Sequence, residues 1–330
     1  MYGIPGFEVD GLEPREHVPL SDDEAIAIAA EHFDIMAQQA TRLDTERDDT
    51  FRLDAAGGTY VLKVAHPVDS RASIDFEIEA VDYARRGDAA LPLPRIHEST
   101  SGDLAPALAE HDGRLARLFG WLPGVPLADT EPNDDQAGEL GRTLGRLTNA
   151  LAGFGHPAAR RPFAWDAMQF PRLAKVQDAV GTDLTARVFD AFESIVAPRE
   201  ADLPRQVTHN DFNPGNVLVD AAPGAARFVT GIIDFGDAIE TARVCDLAVA
   251  LSYQLFPMGR NWHTARPFVD AYEFVVPLEE AEREVLPTLV AVRLAQRFLI
   301  YQWMQRGSSS SLDFASEGNL AALASVLKEI

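Results

Sequence analysis

Residues 209–220 read HNDFNPGNVLVD, and residues 229–237 read VTGIIDFGD. Each stretch sets carboxylates or amides directly against an apolar, β-type run, and no other feature of the chain constrains its fold as much. An apolar strand must pack in a core, whereas Asp211, Asn216 and Asp234 lose their hydration there unless a partner, an ion or a ligand replaces the water. Both stretches therefore belong at the rim of a core, where strand ends deliver polar groups to a shared opening. Pro214-Gly215 and Gly236 supply the turns beside each strand. Taken singly, Asn-Pro-Gly is ordinary turn chemistry and Asp-Phe-Gly an ordinary strand end; in this order, each beside an apolar run, they point to a site.

The surrounding chain divides by pattern. Its 330 residues, 46% hydrophobic, suffice for one large domain or two lobes. Residues 20–33 open with Ser-Asp-Asp-Glu, a helix N-cap signal, and continue at helical spacing. Three short strands are predicted near 37–43, 50–54 and 59–65, the last two joined by a Gly-Gly turn, then a helix over 70–87. LPLPRIHES and RLARLFGWLPG are further strand candidates. A boundary near Gly120 separates residues 1–119 from 120–330, where helices are predicted over 133–152, 166–180, 183–196, 241–256, 264–275, 279–305 and 315–329. QVTHND, NVLVD and VTGIIDFGD form a small strand region among them, and GSSSSLD (307–313) is a short loop. The pattern is α+β: a small, mainly β part with one long helix, then a larger, mainly helical part.

A formal charge of −22 repels nucleic-acid phosphates and anionic membranes and attracts small cations. Cys245 is the only cysteine, which excludes an intramolecular disulfide and a thiolate metal cluster and fits a reducing cytoplasm. The opening MYGIPGFEVDG does not read as a signal peptide, and no apolar run approaches a membrane span. Monomer and homodimer both stay open.

His209-x-Asp211-x4-Asn216 has the spacing at which an Asp and an Asn face one small volume, as in the kinase catalytic loop, where the Asp accepts a hydroxyl proton and the Asn holds Mg²⁺. Asp234, at the end of its strand, would be the second magnesium ligand; two side-chain oxygens suffice when waters and nucleotide phosphates complete the shell. Such a site also needs a strand lysine at the phosphates and a helical carboxylate to hold it. Lys63 in TYVLKVAH fits: the chain has only two other lysines, Lys175 and Lys328, and otherwise uses arginine. Strand alternation sets Lys63 opposite the face of Tyr60, Leu62 and Val64. Of Glu77 and Glu79, which point to different faces, Glu77 shares its face with Val81 and Ala84 and is the candidate partner. Between the first two strands, TERDDT lacks a G-x-G-x-x-G loop; Thr45 and Thr50 there are candidate phosphate-capping hydroxyls, with a plain surface turn as the alternative. The backbone of Phe119 and Trp121 is the candidate adenine hinge.

With HNDFNPGN, IIDFGD, YVLKV and RLFGWLPG, residues 20–330 resemble the aminoglycoside phosphotransferase-like kinases, which share a two-lobed, protein-kinase-like fold. The resemblance implies ATP-dependent phosphorylation of a small-molecule hydroxyl, with GTP left open as donor. Asp211 would be the base, Asn216 and Asp234 the Mg²⁺ ligands, and Lys63 with Glu77 the phosphate pair. The family commonly has Gly where this chain has Asn210, a position not required for metal or proton handling. GFGHPAARRPFAWD (153–166) and the wording of the catalytic loop are similar to the hydroxylysine-kinase-like branch, implying a small hydroxylated amine or amino acid such as 5-hydroxylysine; aminoglycoside, homoserine and choline-type kinases are the alternatives.

Trp165 and Asp166 are acceptor-pocket candidates, with a core anchor and a helix N-cap as the competing readings, and Asp237 would face a substrate ammonium. His209 and Asp246 are expected to brace the loop. A nucleotide-binding module without turnover is the competing class, opposed by the presence of every charged part. A protein kinase is opposed by the missing glycine-rich loop and A-P-E segment.

Overall fold

The computed structural model describes residues 3–7, 18–45, 47–222, 224–306 and 314–330. The loop expected at 307–313 lies outside them, as does most of the N-terminal segment.

Ser21 opens α1 (Asp22–Phe33): its hydroxyl accepts the Glu24 N–H at 3.3 Å while the Glu24 carboxylate accepts the Ser21 N–H at 2.7 Å. Two otherwise unpaired donors are satisfied reciprocally. β1 (Ala37–Leu43), β2 (Asp49–Ala55) and β3 (Gly58–Val64) follow as antiparallel neighbours. The β2–β3 turn needs Gly58, whose φ of 140° L-residues rarely adopt. After α2 (Arg71–Gly87), β4 (Ile96–His97) and β5 (Ala107–Leu108) pair with β6 (Arg114–Gly120), which pairs with β3, completing six antiparallel strands.

Alternation along these strands sets the two faces. Phe51, Leu53, Leu62 and Leu118 pack with Ala25, Ile28 and Phe33 of α1. Lys63 and Arg117, directly opposite each other in the β3–β6 register, face α2.

Beyond Gly120 the chain is mainly helical. β7 (Val125–Pro126), β9 (Val217–Val219) and β10 (Val229–Ile232) form a three-stranded antiparallel sheet, and β8 (Arg205–Thr208) pairs with β11 (Ile239–Ala242). The helices are α3 (Asp134–Leu151), α4 (Ala174–Val180), α5 (Asp183–Ala191), α6 (Val244–Leu255), α7 (Arg266–Val275), α8 (Glu280–Met304) and α9 (Phe314–Val326). The molecule is α+β, as expected. Among the described residues no helix is long and apolar enough to cross a membrane.

Three helical expectations change. The 166–180 segment begins as a 3₁₀ stretch, Ala167–Leu173, containing Pro171, which has no N–H for an α-helical bond. The 183–196 segment leaves α geometry at Phe192 for a π-type turn. Residues 241 and 242 belong to a strand, not a helix, because they pair with Gln206 and Arg205, a non-local partner that periodicity cannot reveal.

α3 lies against α7 through glycine. A Cβ at Gly141 would overlap the carbonyl of Phe268, which is backbone and cannot swing aside. In an open helix Ala would be favoured over Gly by about 1 kcal/mol, but overpacking costs about 1–3 kcal/mol, so the clash decides the sign. Gly141→Ala is expected to lower Tm; a Tm at or above wild type in thermal denaturation would refute this packing.

Candidate active site

The strand ends bring the two polar stretches together. β9 and β10 pair Val217 with Ile232, and just beyond, the Ile233 N–H donates to the Asn216 carbonyl at 2.9 Å. Asn216 and the residue before Asp234 are thus adjacent through the sheet. Within the loop, Asp211 Oδ2 accepts from Asn216 Nδ2 at 2.7 Å and from Asn213 Nδ2 at 2.8 Å, while Arg293 Nη2 on α8 lies 3.3 Å from Oδ1. Asn213 Oδ1 accepts the Gly215 and Asn216 N–H groups, forming the turn that aims Asn216.

The loop is held from behind. Asp246, in the first turn of α6, accepts the His209 N–H at 3.3 Å and the Asn210 N–H at 2.8 Å. Burial pushes its carboxyl up to about 6, opposed by those two hydrogen bonds. The buried His209 ring lies 3.1 Å from the Ile233 carbonyl through Nε2 and accepts the Asp211 N–H through Nδ1. Burial lowers its pKa to about 4, so it is neutral at pH 7. Asn210 sits at φ 61°, in the left-handed region that Asn and Gly tolerate best, which explains the residue type at this position.

On the sheet side, Lys63 Nζ lies 3.5 Å from Asp234 Oδ1 and 4.0 Å from Glu77 Oε1. Burial works against the ammonium, but Asp234, Glu77 and Asp48 together raise its pKa above the ordinary lysine value. The Lys63 ammonium holds the Asp234 carboxyl below its usual range against the opposing effect of burial. The Asp234 side chain is 44% exposed and its backbone has φ 65°. Glu77 is buried and is raised by that burial, opposed by Arg117 and Lys63; Glu79 is exposed. Arg117, 1% exposed, bonds both Glu77 and Asp48, tying α2 to the β1–β2 loop.

The remaining candidates are placed by their own contacts. Thr50 lies inside β2 and its hydroxyl accepts from Thr45 at 3.2 Å, while Thr45 also donates to the Asp48 carbonyl. The Thr45 hydroxyl thereby shapes the loop, and Thr50 is a buried residue of the strand. Phe119 is paired with Val61 on one side and Ile96 on the other, so its backbone belongs to the sheet. The Trp121 N–H donates to the Thr59 carbonyl at 3.1 Å, so it is taken up by β3. Asp166 is buried: its carboxylate accepts from Met168 N–H, Thr241 Oγ1 and Gln169 Nε2, which is the cap reading and not the substrate one. Trp165 is half-buried beneath the Arg293 guanidinium, 4.7 Å from its ring centre. Asp237 is half-buried, and its burial, with the Asp211 charge adding, pushes the carboxyl up to about 7. Cys245 is buried and its thiol is pushed up by that burial.

Sequence reasoning passed over Arg117, Arg293 and Asn213. The available signal for the first two is a charge on an otherwise apolar, inward-facing pattern, RLARLFG and LVAVRLAQRFL; for Asn213 it is the Asx-Pro-Gly turn.

The donor set fits a hard divalent cation. Asn216 directs its amide nitrogen to Asp211, which leaves its oxygen as the free hard ligand, and Asp234 adds an exposed carboxylate.

A strand-end cluster of this kind, with a lysine–glutamate pair on the facing sheet, has the parts that phosphoryl transfer requires. Residues 40–285 match the model of the APH phosphotransferase enzyme family, and the chain belongs to that family. It is similar to hydroxylysine kinase of Mus musculus, 26% identical over 308 residues, covering 85% of this chain and 81% of the relative. It is also similar to homoserine kinase of Gluconobacter oxydans, 30% identical over 266 residues, covering 78% and 80%. Among solved structures, a microcompartment-associated aminopropanol kinase superposes with a TM-score of 0.69 at 21% identity, covering 92% of this chain and 95% of that one. Amicoumacin kinase in complex with AMP-PNP and Ca²⁺ gives a TM-score of 0.70 at 16% identity, covering 94% of each chain.

Proposed function

We propose that the protein transfers the γ-phosphoryl group of ATP to the hydroxyl of a small cationic molecule, a hydroxylated amino acid or amine such as 5-hydroxylysine. Residues 1–119 would carry the nucleotide and residues 120–330 the catalytic loop and acceptor. The observation that carries this reading is Asp211, positioned by Asn213, Asn216 and Arg293 within the electrostatic reach of Asp237. Asp211 takes the proton of the acceptor hydroxyl as the acceptor oxygen bonds to the γ-phosphorus. The bond between that phosphorus and its bridging oxygen breaks, and ADP leaves with the bridging electron pair. Lys63, kept in place by Glu77, meets the phosphates; Asp237 meets the acceptor ammonium. Asn216 and Asp234 would hold Mg²⁺, which neutralises phosphate charge when bound. Homoserine is the second acceptor to test, favoured by the 30% identity to a homoserine kinase.

ADP formation with ATP, Mg²⁺ and a panel of hydroxylated amines and amino acids tests this. Turnover well above an Asp211→Ala control is expected with at least one compound. No ADP above that control with any of them would leave a nucleotide-binding module in place of an enzyme of this specificity.

A further inference from the structure

Arg161 stands out once the charges around Asp211 are paired off. In a chain of net charge −22, among the described residues this half-buried guanidinium forms no ion pair. It donates instead to the carbonyls of Gly236 (3.1 Å) and Ala238 (2.7 Å), the residues on either side of Asp237. The rings of Phe163 and Phe76 flank it, with centres 4.7 and 5.9 Å from its central carbon. Two of its five N–H donors are occupied this way and three remain. Burial pulls its pKa below the usual arginine value, with Asp237 acting in the opposite direction. Asp237 likewise forms no ion pair among the described residues, although it feels the charges of Asp211, Arg293 and Arg161. A half-buried guanidinium and a half-buried carboxyl group are thus held close together, through the carbonyls on either side of Asp237, without closing on each other. Leaving both without a counter-ion is costly, and one ligand carrying both opposite charges would remove both costs.

We propose that Arg161 is a specificity-determining residue of the acceptor site: it binds a carboxylate on the acceptor while Asp237 takes the ammonium, so that the enzyme selects hydroxylated amino acids over the corresponding decarboxylated amino alcohols. Arg presents a planar fork that matches a carboxylate through two parallel hydrogen bonds. The assignment rests on the phosphotransfer reading of the same site and adds to it the choice between acceptor classes.

The test compares matched acceptors differing only in the carboxylate: homoserine against 3-aminopropanol, threonine against 1-amino-2-propanol, and 5-hydroxylysine against 1,5-diaminopentan-2-ol. For the pair that wild type turns over, kcat/KM is expected to favour the carboxylated member about tenfold or more, the worth of a charge-assisted contact. Arg161→Gln should bring that ratio to near one, mainly through the KM of the amino acid, and Arg161→Lys should restore part of it. The KM for ATP should stay within about twofold, since Arg161 is placed on the acceptor and not the nucleotide. A wild-type ratio near one, or a ratio unchanged in Arg161→Gln, overturns the assignment while leaving phosphotransfer intact. No turnover of any acceptor by wild type overturns the reading beneath it instead. If Arg161→Gln does not fold, competition in wild type decides: 2-aminobutyrate inhibiting no better than propylamine overturns the assignment.

Discussion

Asp211→Asn is expected to lower kcat by about 10²- to 10⁴-fold, the usual contribution of a positioned general base, with the affinity for ATP changed by no more than about twofold. The substitution removes the proton acceptor and also disturbs its setting. Oδ2 of Asp211 accepts from two amide nitrogens, those of Asn213 and Asn216, and Oδ1 faces the Arg293 guanidinium. An amide in this position must turn its own NH₂ toward one of these donor groups, so one hydrogen bond is exchanged for a donor–donor contact. Steady-state kinetics with a turned-over acceptor reads the first effect and thermal denaturation the second. An Asp211→Asn enzyme within tenfold of wild-type kcat would remove Asp211 from the role of base.

Asp234→Asn should reduce kcat/KM for ATP by about 10²- to 10⁴-fold, because an electrostatic clamp on transferring phosphate contributes several kcal/mol. Asparagine suits the backbone here: it tolerates the φ of 65°, and its amide oxygen can still accept the Gly236 N–H, which lies 3.3 Å from Oδ1 in the native protein. The fold is therefore preserved and the loss reports the missing charge. Lys63 loses the neighbour that does most to hold its pKa up, while Glu77 and Asp48 remain beside it. Raising Mg²⁺ should recover part of the activity, since the Asn216 oxygen is still present. A Mg²⁺ titration with the wild-type midpoint would show that Asp234 does not ligate the ion.

Both substitutions act on residues that were legible in the chain, and the reason is local. Asp211, Asn216 and Asp234 sit within five or fewer residues of a turn and an apolar strand, so spacing alone places them on strand ends. Lys63 was legible through alternation on β3, and Glu77 through its shared face with Val81 and Ala84 on α2. The hinge and loop assignments did not transfer in the same way. Whether Trp121 offers its N–H or its carbonyl depends on Thr59, and whether Thr50 can reach a phosphate depends on its burial within β2. Backbone pairing leaves no mark on side-chain pattern.

By itself the sequence determined the fold class, the order of the strands and helices that carry the site, and the polar loop at the catalytic position, because helical and strand periodicity, caps and turn residues act over a few residues. Only the tertiary structure decided which charges meet. Arg117 reaches Glu77 across 40 positions and Arg293 reaches Asp211 across 82, and Asp166 is turned inward by Thr241, 75 positions away. The same packing sets Arg161 against the carbonyls on either side of Asp237, without an ionic partner among the described residues. Electrostatic energy depends on distance in space and on exclusion of water, and neither quantity exists until the chain has folded.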